Sequence, residues 1–110
     1  MTTDIDLDIK INDKIKININ EPSRYKVVFL NDDQTPMDFV IELLVTVFKH
    51  TPETAKDITI KIHKEGSAVV GLYTYELAEQ KGTEATNISR DRGFPLQIKI
   101  EQEWTNIIFG

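Results

Sequence analysis

The sequence predicts an α+β domain in which helices cover one face of a small, largely antiparallel sheet. Three observations carry this expectation. Tyr25–Leu30 (YKVVFL), Ser67–Tyr73 (SAVVGLY) and the stretch from Leu96 to Ile100 (LQIKI) are short runs rich in aliphatic, β-branched and aromatic residues, the composition of strands. Thr35-Pro36 and Thr51-Pro52 each place a capping residue before a proline, which is tolerated at the first helical position because its missing N–H would be unpaired there anyway. The chain of 110 residues is long enough for one domain with one modest core.

Each element follows in order. The first strand, Tyr25–Leu30, is apolar enough to be buried, and Asn31-Asp32-Asp33-Gln34 turns the chain after it. Thr35 then caps a helix with Pro36 at its first position, and Asp38 suits the positive end of the helix dipole. Met37, Val40, Ile41, Leu44, Val47 and Phe48 share helical spacing and should face the core. The next segment is ambiguous. Asp57–Lys64 (DITIKIHK) alternates like a strand, whereas the Thr51-Pro52 start, Ala55, Ile58 and Ile62 at helical spacing, and Gly66 as a stop argue for a helix. Ser67–Tyr73 is the second strand. Thr74 caps a further helix with Leu77, Ala78, Ala85 and Ile88 inward; Gly82 weakens its middle by about 1 kcal/mol relative to Ala, and Gly93 ends it. Leu96, Ile98 and Ile100 alternate with Gln97, Lys99 and Glu101, as in a strand buried on one face.

The ends stand apart from this core. Ile5, Leu7, Ile9 and Ile11 alternate with polar residues, as do Ile15, Ile17 and Ile19, around a turn-like Asn12-Asp13-Lys14. This is a hairpin by pattern and a tail by position, and a lone hairpin is marginal in water. Glu21-Pro22-Ser23 punctuates the boundary. The organisation expected is therefore an extension over 1–24, a core domain over 25–103, and an apolar tail over 104–110 without an evident role.

Composition narrows the function. A net charge of −5 repels phosphate backbones, so nucleic-acid binding is not expected. There is no basic run for a membrane surface, and no apolar stretch approaches the roughly 18 to 20 residues that span a bilayer. Met1–Lys10 lacks the form of a signal peptide, so the expected location is the cytoplasm, or a plastid stroma after removal of a targeting segment. With no cysteine, thiolate chemistry is excluded. Asp32, Asp33 and His63 invite comparison with an acid–base or metal site, but no His-x-x-x-His spacing, nucleophile elbow or phosphate loop accompanies them. No catalytic residue, metal or cofactor is expected. Taken alone, Asn31-Asp32-Asp33 is a turn and cap, Glu76 and Glu79 a solvated helix face, and His50 a surface residue.

Several blocks in sequence change the weight of these residues. The run Tyr25–Val40, YKVVFLNDDQTPMDFV, resembles the signature of ClpS, the bacterial and plastid adaptor of Clp proteases. The resemblance continues through His63-Lys64-Glu65-Gly66, Gly71-Leu72-Tyr73-Thr74, Glu76–Lys81 (ELAEQK) and Pro95-Leu96, and covers roughly Tyr25 to Glu103. It implies that the ambiguous segment is a helix, giving β-α-α-β-α-β with three strands and three helices. It also implies an adaptor acting as a monomer, which binds N-degrons beginning with Leu, Phe, Tyr or Trp and delivers them to the N-terminal domain of a ClpA or ClpC unfoldase. A diverged module that docks on the unfoldase without carrying substrate is the alternative.

The same resemblance assigns roles. Asn31 and His63 would bond the free α-amino group, with Asp32 contributing through water; an amide oxygen, a carboxylate and a neutral imidazole all accept hydrogen bonds. Asp33, Thr35, Met37, Val40, Thr59, Ile62 and Leu96 would wall the pocket for the first side chain. Glu76, Glu79 and Lys81 would meet the unfoldase, and the extension would be the part engaged by the motor. Thr59 departs from the pattern, since many relatives carry methionine there. A smaller, hydroxylated residue predicts a wider or more polar entrance and a shifted preference among first residues, with room for Ile or Val.

Overall fold

The computed structural model describes residues 23–103. The extension and its hairpin pattern before Ser23, and the apolar tail after Glu103, lie outside the described residues. Six elements run in order: β1 (Tyr25–Leu30), α1 (Met37–Thr46), α2 (Pro52–Glu65), β2 (Ser67–Tyr73), α3 (Tyr75–Asp91) and β3 (Gln97–Gln102). The sheet has the order β2-β1-β3, and β1 pairs antiparallel with both neighbours. Three strands and three helices thus form the expected α+β arrangement.

The central strand explains the layering. Val27, Val28 and Phe29 are all buried, as a strand flanked on both edges requires. Leu43, Leu44, Val47 and Phe48 from α1 and the residues after it, Ala55 and Ile62 from α2, and Ala78 and Ala85 from α3 complete one core with them. Phe29 and Phe48 meet edge to face at 5.5 Å between centroids, a favoured aromatic geometry. On α3 the buried stripe is Ala78, Gly82, Ala85 and Ser89, and these small side chains let the helix lie close to the sheet. The Ser89 hydroxyl donates to the Ala85 carbonyl at 2.8 Å, so its burial leaves no orphan group.

The ambiguous segment is a helix. Thr51 Oγ1 accepts from the Thr54 N–H at 3.2 Å, Pro52 occupies the first turn, and Ala55, Thr59 and Ile62 form its buried stripe. Ile58, expected inward, is only partly buried. Gly66 ends the helix at φ +94°, in the left-handed region where a Cβ is disfavoured.

Several expectations need correction. Helix α1 begins at Met37, and the preceding Pro36 has an extended conformation (φ −66°, ψ 144°). Thr35 does not cap it, because Pro36 holds the N-cap position and Thr35 lies one residue before it; the Thr35 hydroxyl donates to Asp32 Oδ2 at 2.8 Å. Met37 is 42% exposed rather than in the core, since the first turn of α1 stands over an open pocket. Leu77 is 39% exposed because it precedes the buried stripe that starts at Ala78. Thr74 stands at the N-cap of α3 without a side-chain bond to the helix. Leu96 is buried just ahead of β3 rather than inside it. His50 is not a free surface residue. Its Nε2–H donates to the Val70 carbonyl at 2.6 Å, where β2 carries one extra residue opposite the Val27/Val28 step of β1.

Gly66 is the most exacting backbone position, since Asn31 N–H donates to its carbonyl at 2.9 Å. Gly66→Ala should lower unfolding free energy by about 1–2 kcal/mol through its left-handed conformation alone, measured by urea denaturation. A variant as stable as the native chain would contradict this reading of the turn.

Candidate functional site

The end of β1 and the end of α2 meet at one place. The Asn31 N–H to Gly66 carbonyl bond continues the β1–β2 ladder by one step past Leu30 and Ser67. It brings Asn31, which leaves the strand, beside the last turn of the helix that carries His63. Both side chains are exposed.

Beneath them lies an open pocket of about 270 Å³, solvent-filled mouth included. Leu30, Asn31, Asp32, Thr35, Met37, Val40, Thr59, Ile62, His63 and Leu96 line it. Met37 and Val40 are one turn apart on α1; Thr59, Ile62 and His63 stand at i, i+3 and i+4 on α2, a shared face. Leu96 closes the pocket from the connection into β3. The walls are apolar and the polar groups gather toward Asn31, Asp32 and His63, a division of labour typical of small binding sites.

The structure brings together nine of the ten residues expected at this site. Asp33 is the exception: it is exposed on the turn and does not line the cavity. Leu30 lines it without having been foreseen. The buried run of β1 ends at Phe29, and Leu30 is half-buried immediately before Asn31; that position was the available signal.

Asp32 is the organiser of the loop. Its Oδ1 accepts from the N–H groups of Gln34 at 2.8 Å and Thr35 at 2.7 Å, and its Oδ2 accepts from the Thr35 hydroxyl at 2.8 Å. Burial pushes this carboxyl up. The hydrogen bonds from Gln34 N–H, Thr35 Oγ1 and Thr35 N–H, with the charge of Arg90, outweigh burial and hold it below its ordinary value of 3.8. A carboxylate has about four acceptor positions, so Asp32 keeps capacity for a further donor while placing a fixed negative charge at the rim.

Thr59 is 2% exposed and donates its hydroxyl to the Ala55 carbonyl at 2.8 Å. The donor is spent one turn back in its own helix. Thr59 therefore offers the pocket a smaller side chain rather than a free donor, which corrects the expectation of a more polar entrance and leaves that of a wider one.

The expected docking residues divide. Glu76 and Glu79 are exposed on the first turns of α3. Lys81 is half-buried: its Nζ donates to the Val47 carbonyl at 2.8 Å and lies 5.6 Å from the centre of the Tyr73 ring. It ties the chain after α1 to α3, so its ammonium is engaged within the fold. Composition alone did not indicate that Leu72, Tyr75 and Leu77 are exposed at the β2–α3 junction beside the two glutamates. Among the described residues no group of three or more His, Cys, Asp or Glu could hold a metal ion, and no helix is long and apolar enough to cross a membrane.

Comparison with known proteins points one way. Residues 20–99 match the family model for the ATP-dependent Clp protease adaptor protein ClpS. The ClpS adapter protein of Nautilia profundicola is 46% identical over 86 residues, 78% of this chain and 89% of that protein. That of Treponema denticola is 43% identical over 82 residues, 74% of this chain and 81% of that protein. The structure of Agrobacterium tumefaciens ClpS2 bound to L-phenylalaninamide superposes with a TM-score of 0.73 at 41% identity, covering 76% of this chain and all of that one.

The Asp32 arrangement has a testable pH signature. The folded chain holds this proton more weakly than the unfolded chain, so the unfolded state binds more protons as acid is added. Asp32 thus contributes stability that is complete above its ordinary pKa and lost as pH falls through the lower folded value. Asp32→Asn should be less stable than the native chain at pH 7, with the gap shrinking below about pH 4. An equal gap at neutral and acid pH, by urea denaturation, would contradict the role.

Proposed function

This chain belongs to the ClpS family of Clp protease adaptors, and we propose that its pocket holds the first residue of N-degron substrates for delivery to a ClpA or ClpC unfoldase. Members of this family are adaptors rather than catalysts. The observation that carries the reading is the meeting of Asn31 and His63 over an apolar pocket. L-Phenylalaninamide, the molecule bound to the Agrobacterium relative, is a first residue in miniature: a free amine, an apolar side chain and a carbonyl continuing into an amide.

The chemistry matches such a ligand. An α-ammonium group has three N–H donors and a positive charge. The Asn31 amide oxygen and a neutral His63 ring are acceptors, and Asp32 adds negative charge and one further acceptor position. Each charge-assisted hydrogen bond contributes roughly 1.5–3 kcal/mol. Burying a Leu or Phe side chain against Leu30, Met37, Val40, Ile62 and Leu96 contributes about 1.5–3 kcal/mol more. After the entropic cost of association, a micromolar dissociation constant, about −8 kcal/mol, is the expected scale. Thr59, smaller than methionine and with its hydroxyl engaged, favours a wider pocket that takes β-branched first residues as well.

The remaining parts fit delivery. Glu76 and Glu79, with exposed Leu72, Tyr75 and Leu77, form the surface for the unfoldase's N-terminal domain. Lys81 supports that surface from behind through Val47 and Tyr73. Residues 1–24, at about 3.3 Å each when extended, are long enough to be engaged by the motor while the core, 25–103, holds the cargo. The chain works as a monomer.

Fluorescence binding of a Leu- or Phe-initiated peptide tests the reading. Asn31→Ala and His63→Ala should each weaken binding about 10- to 100-fold with the fold intact. Unchanged affinity in both variants would overturn the assignment of the amine site.

A further inference from the structure

Among the apolar walls of the pocket, one stands on neither a helix nor a strand. Leu30 belongs to β1, Met37 and Val40 to α1 and Ile62 to α2, whereas Leu96 lies in the connection between the end of α3 at Asp91 and the start of β3 at Gln97. Leu96 is nonetheless buried. A connection holds a side chain less precisely than a helix or strand does, unless packing and hydrogen bonds lock it.

This connection is locked on two sides. At the end of α3 the chain turns in a Schellman motif. Gly93 takes φ +81°, its N–H donates to the Arg90 carbonyl at 3.0 Å, and the Phe94 N–H donates to the Ser89 carbonyl at 2.9 Å. The Arg90 side chain adds a bond from Nη1 to the Phe94 carbonyl at 2.9 Å. On the side of α1 the contacts are between side chains. The Phe94 ring lies 4.9 Å from that of Phe39, tilted by 58°. The Arg92 guanidinium stands 5.1 Å from the centre of the same Phe39 ring and donates to Glu42 Oε2 at 3.1 Å. Phe39 is 3% exposed and so anchors the grip in the core. Glu42 follows it by three positions, on the same helix face. The pocket wall Val40 is the residue next to Phe39, and Leu96 follows Phe94 across Pro95, whose ring restricts the backbone between them. The grip and the two walls thus belong to the same two short segments, 39–42 and 92–96.

Taking the pocket as the seat of a substrate's first side chain, a reading on which this one rests, we propose that Phe94 and Arg92 are positioning residues: their grip on Phe39 and Glu42 sets the distance between Leu96 and the α1 wall, and with it the preference among first residues. The aromatic pair is the stronger half of the grip. Arg92 and Glu42 are exposed, and ion pairs of that kind contribute little, whereas the Phe94 ring meets a buried partner. Without that ring the connection stays tied to α3 by its turn but loses its main hold on α1. Leu96 then draws back and the pocket widens. A widened pocket leaves unfilled space around Leu and accommodates the larger Trp.

The affinities of two labelled peptides that differ only in their first residue, Leu or Trp, test this in the full chain. Phe94→Ala should weaken binding of the Leu peptide about tenfold and leave that of the Trp peptide within about twofold of wild type, shifting the Trp-to-Leu affinity ratio about 5- to 10-fold. Arg92→Ala should shift the ratio in the same direction by about two- to threefold. A merely structural loss removes folded protein and lowers both apparent affinities in proportion, so the ratio separates positioning from stability. Arg92 is exposed, so its variant stays folded and decides the question if Phe94→Ala does not fold. An unchanged ratio in every variant that folds would overturn the proposal, as would a shift toward Leu. Wild-type protein that binds neither peptide would overturn the pocket reading and this proposal with it; wild-type binding of the Leu peptide, with the same ratio in the variants, would overturn the positioning role alone.

Discussion

One hydrogen bond sets the geometry on which the site depends. The Asn31 N–H reaches the Gly66 carbonyl at 2.9 Å and joins the end of the central strand to the end of α2. Thirty-five positions separate the two residues, yet the ladder between β1 and β2 leaves them one step beyond its last pair, Leu30 and Ser67. Gly66 can serve both as the left-handed stop of α2 and as this acceptor because it has no Cβ to strain. Without that stop the helix could not hand over to β2 within two residues, and His63 would not stand next to the strand that ends in Asn31. The acceptors at the rim are therefore positioned by rigid elements rather than by a mobile loop, which lowers the entropy lost on binding.

The same economy appears in the loop. Asp32 spends most of its acceptor capacity on three donors from Gln34 and Thr35, which shapes residues 31–35 before any ligand arrives. Its charge is still available to a nearby cation, because hydrogen bonding to a carboxylate stabilises that charge instead of removing it. The helix begins one residue later than the Thr-Pro start suggests, with Pro36 rather than Thr35 at the N-cap and Met37 over the pocket. A small loss of helix-end satisfaction is exchanged for a preorganised rim, the kind of local departure from helix-capping preference that marks a functional site.

Much of this was legible from residues alone, and the exceptions have physical causes. Tyr25–Leu30 and Ser67–Tyr73 are strands over the span that their composition indicated. The segment 57–64 was ambiguous by pattern because Ile58, Ile60 and Ile62 alternate while Ala55, Ile58 and Ile62 follow helical spacing; the cap, the stop and the family resemblance favour the helix that forms, with Ala55, Thr59 and Ile62 as its buried stripe. Met37 could not be told from core by spacing, since a pocket wall and a core face share one period. His50 and Lys81 bond carbonyls 20 and 34 residues away, and no local pattern announces such contacts. The pocket residues were legible because their blocks resemble a known family, and Leu30 escaped because it looks like an ordinary strand residue within the block that carries the signature.

The account rests on recognition of a free, positively charged α-amino group together with the side chain beside it. The most direct measurement compares two peptides identical in sequence and starting with Leu, one with a free amine and one acetylated. Acetylation removes the charge and two of the three N–H donors, so binding of the acetylated peptide should fall about 100-fold or more. Equal affinity for the two would contradict the account, because the apolar pocket alone would then explain the binding.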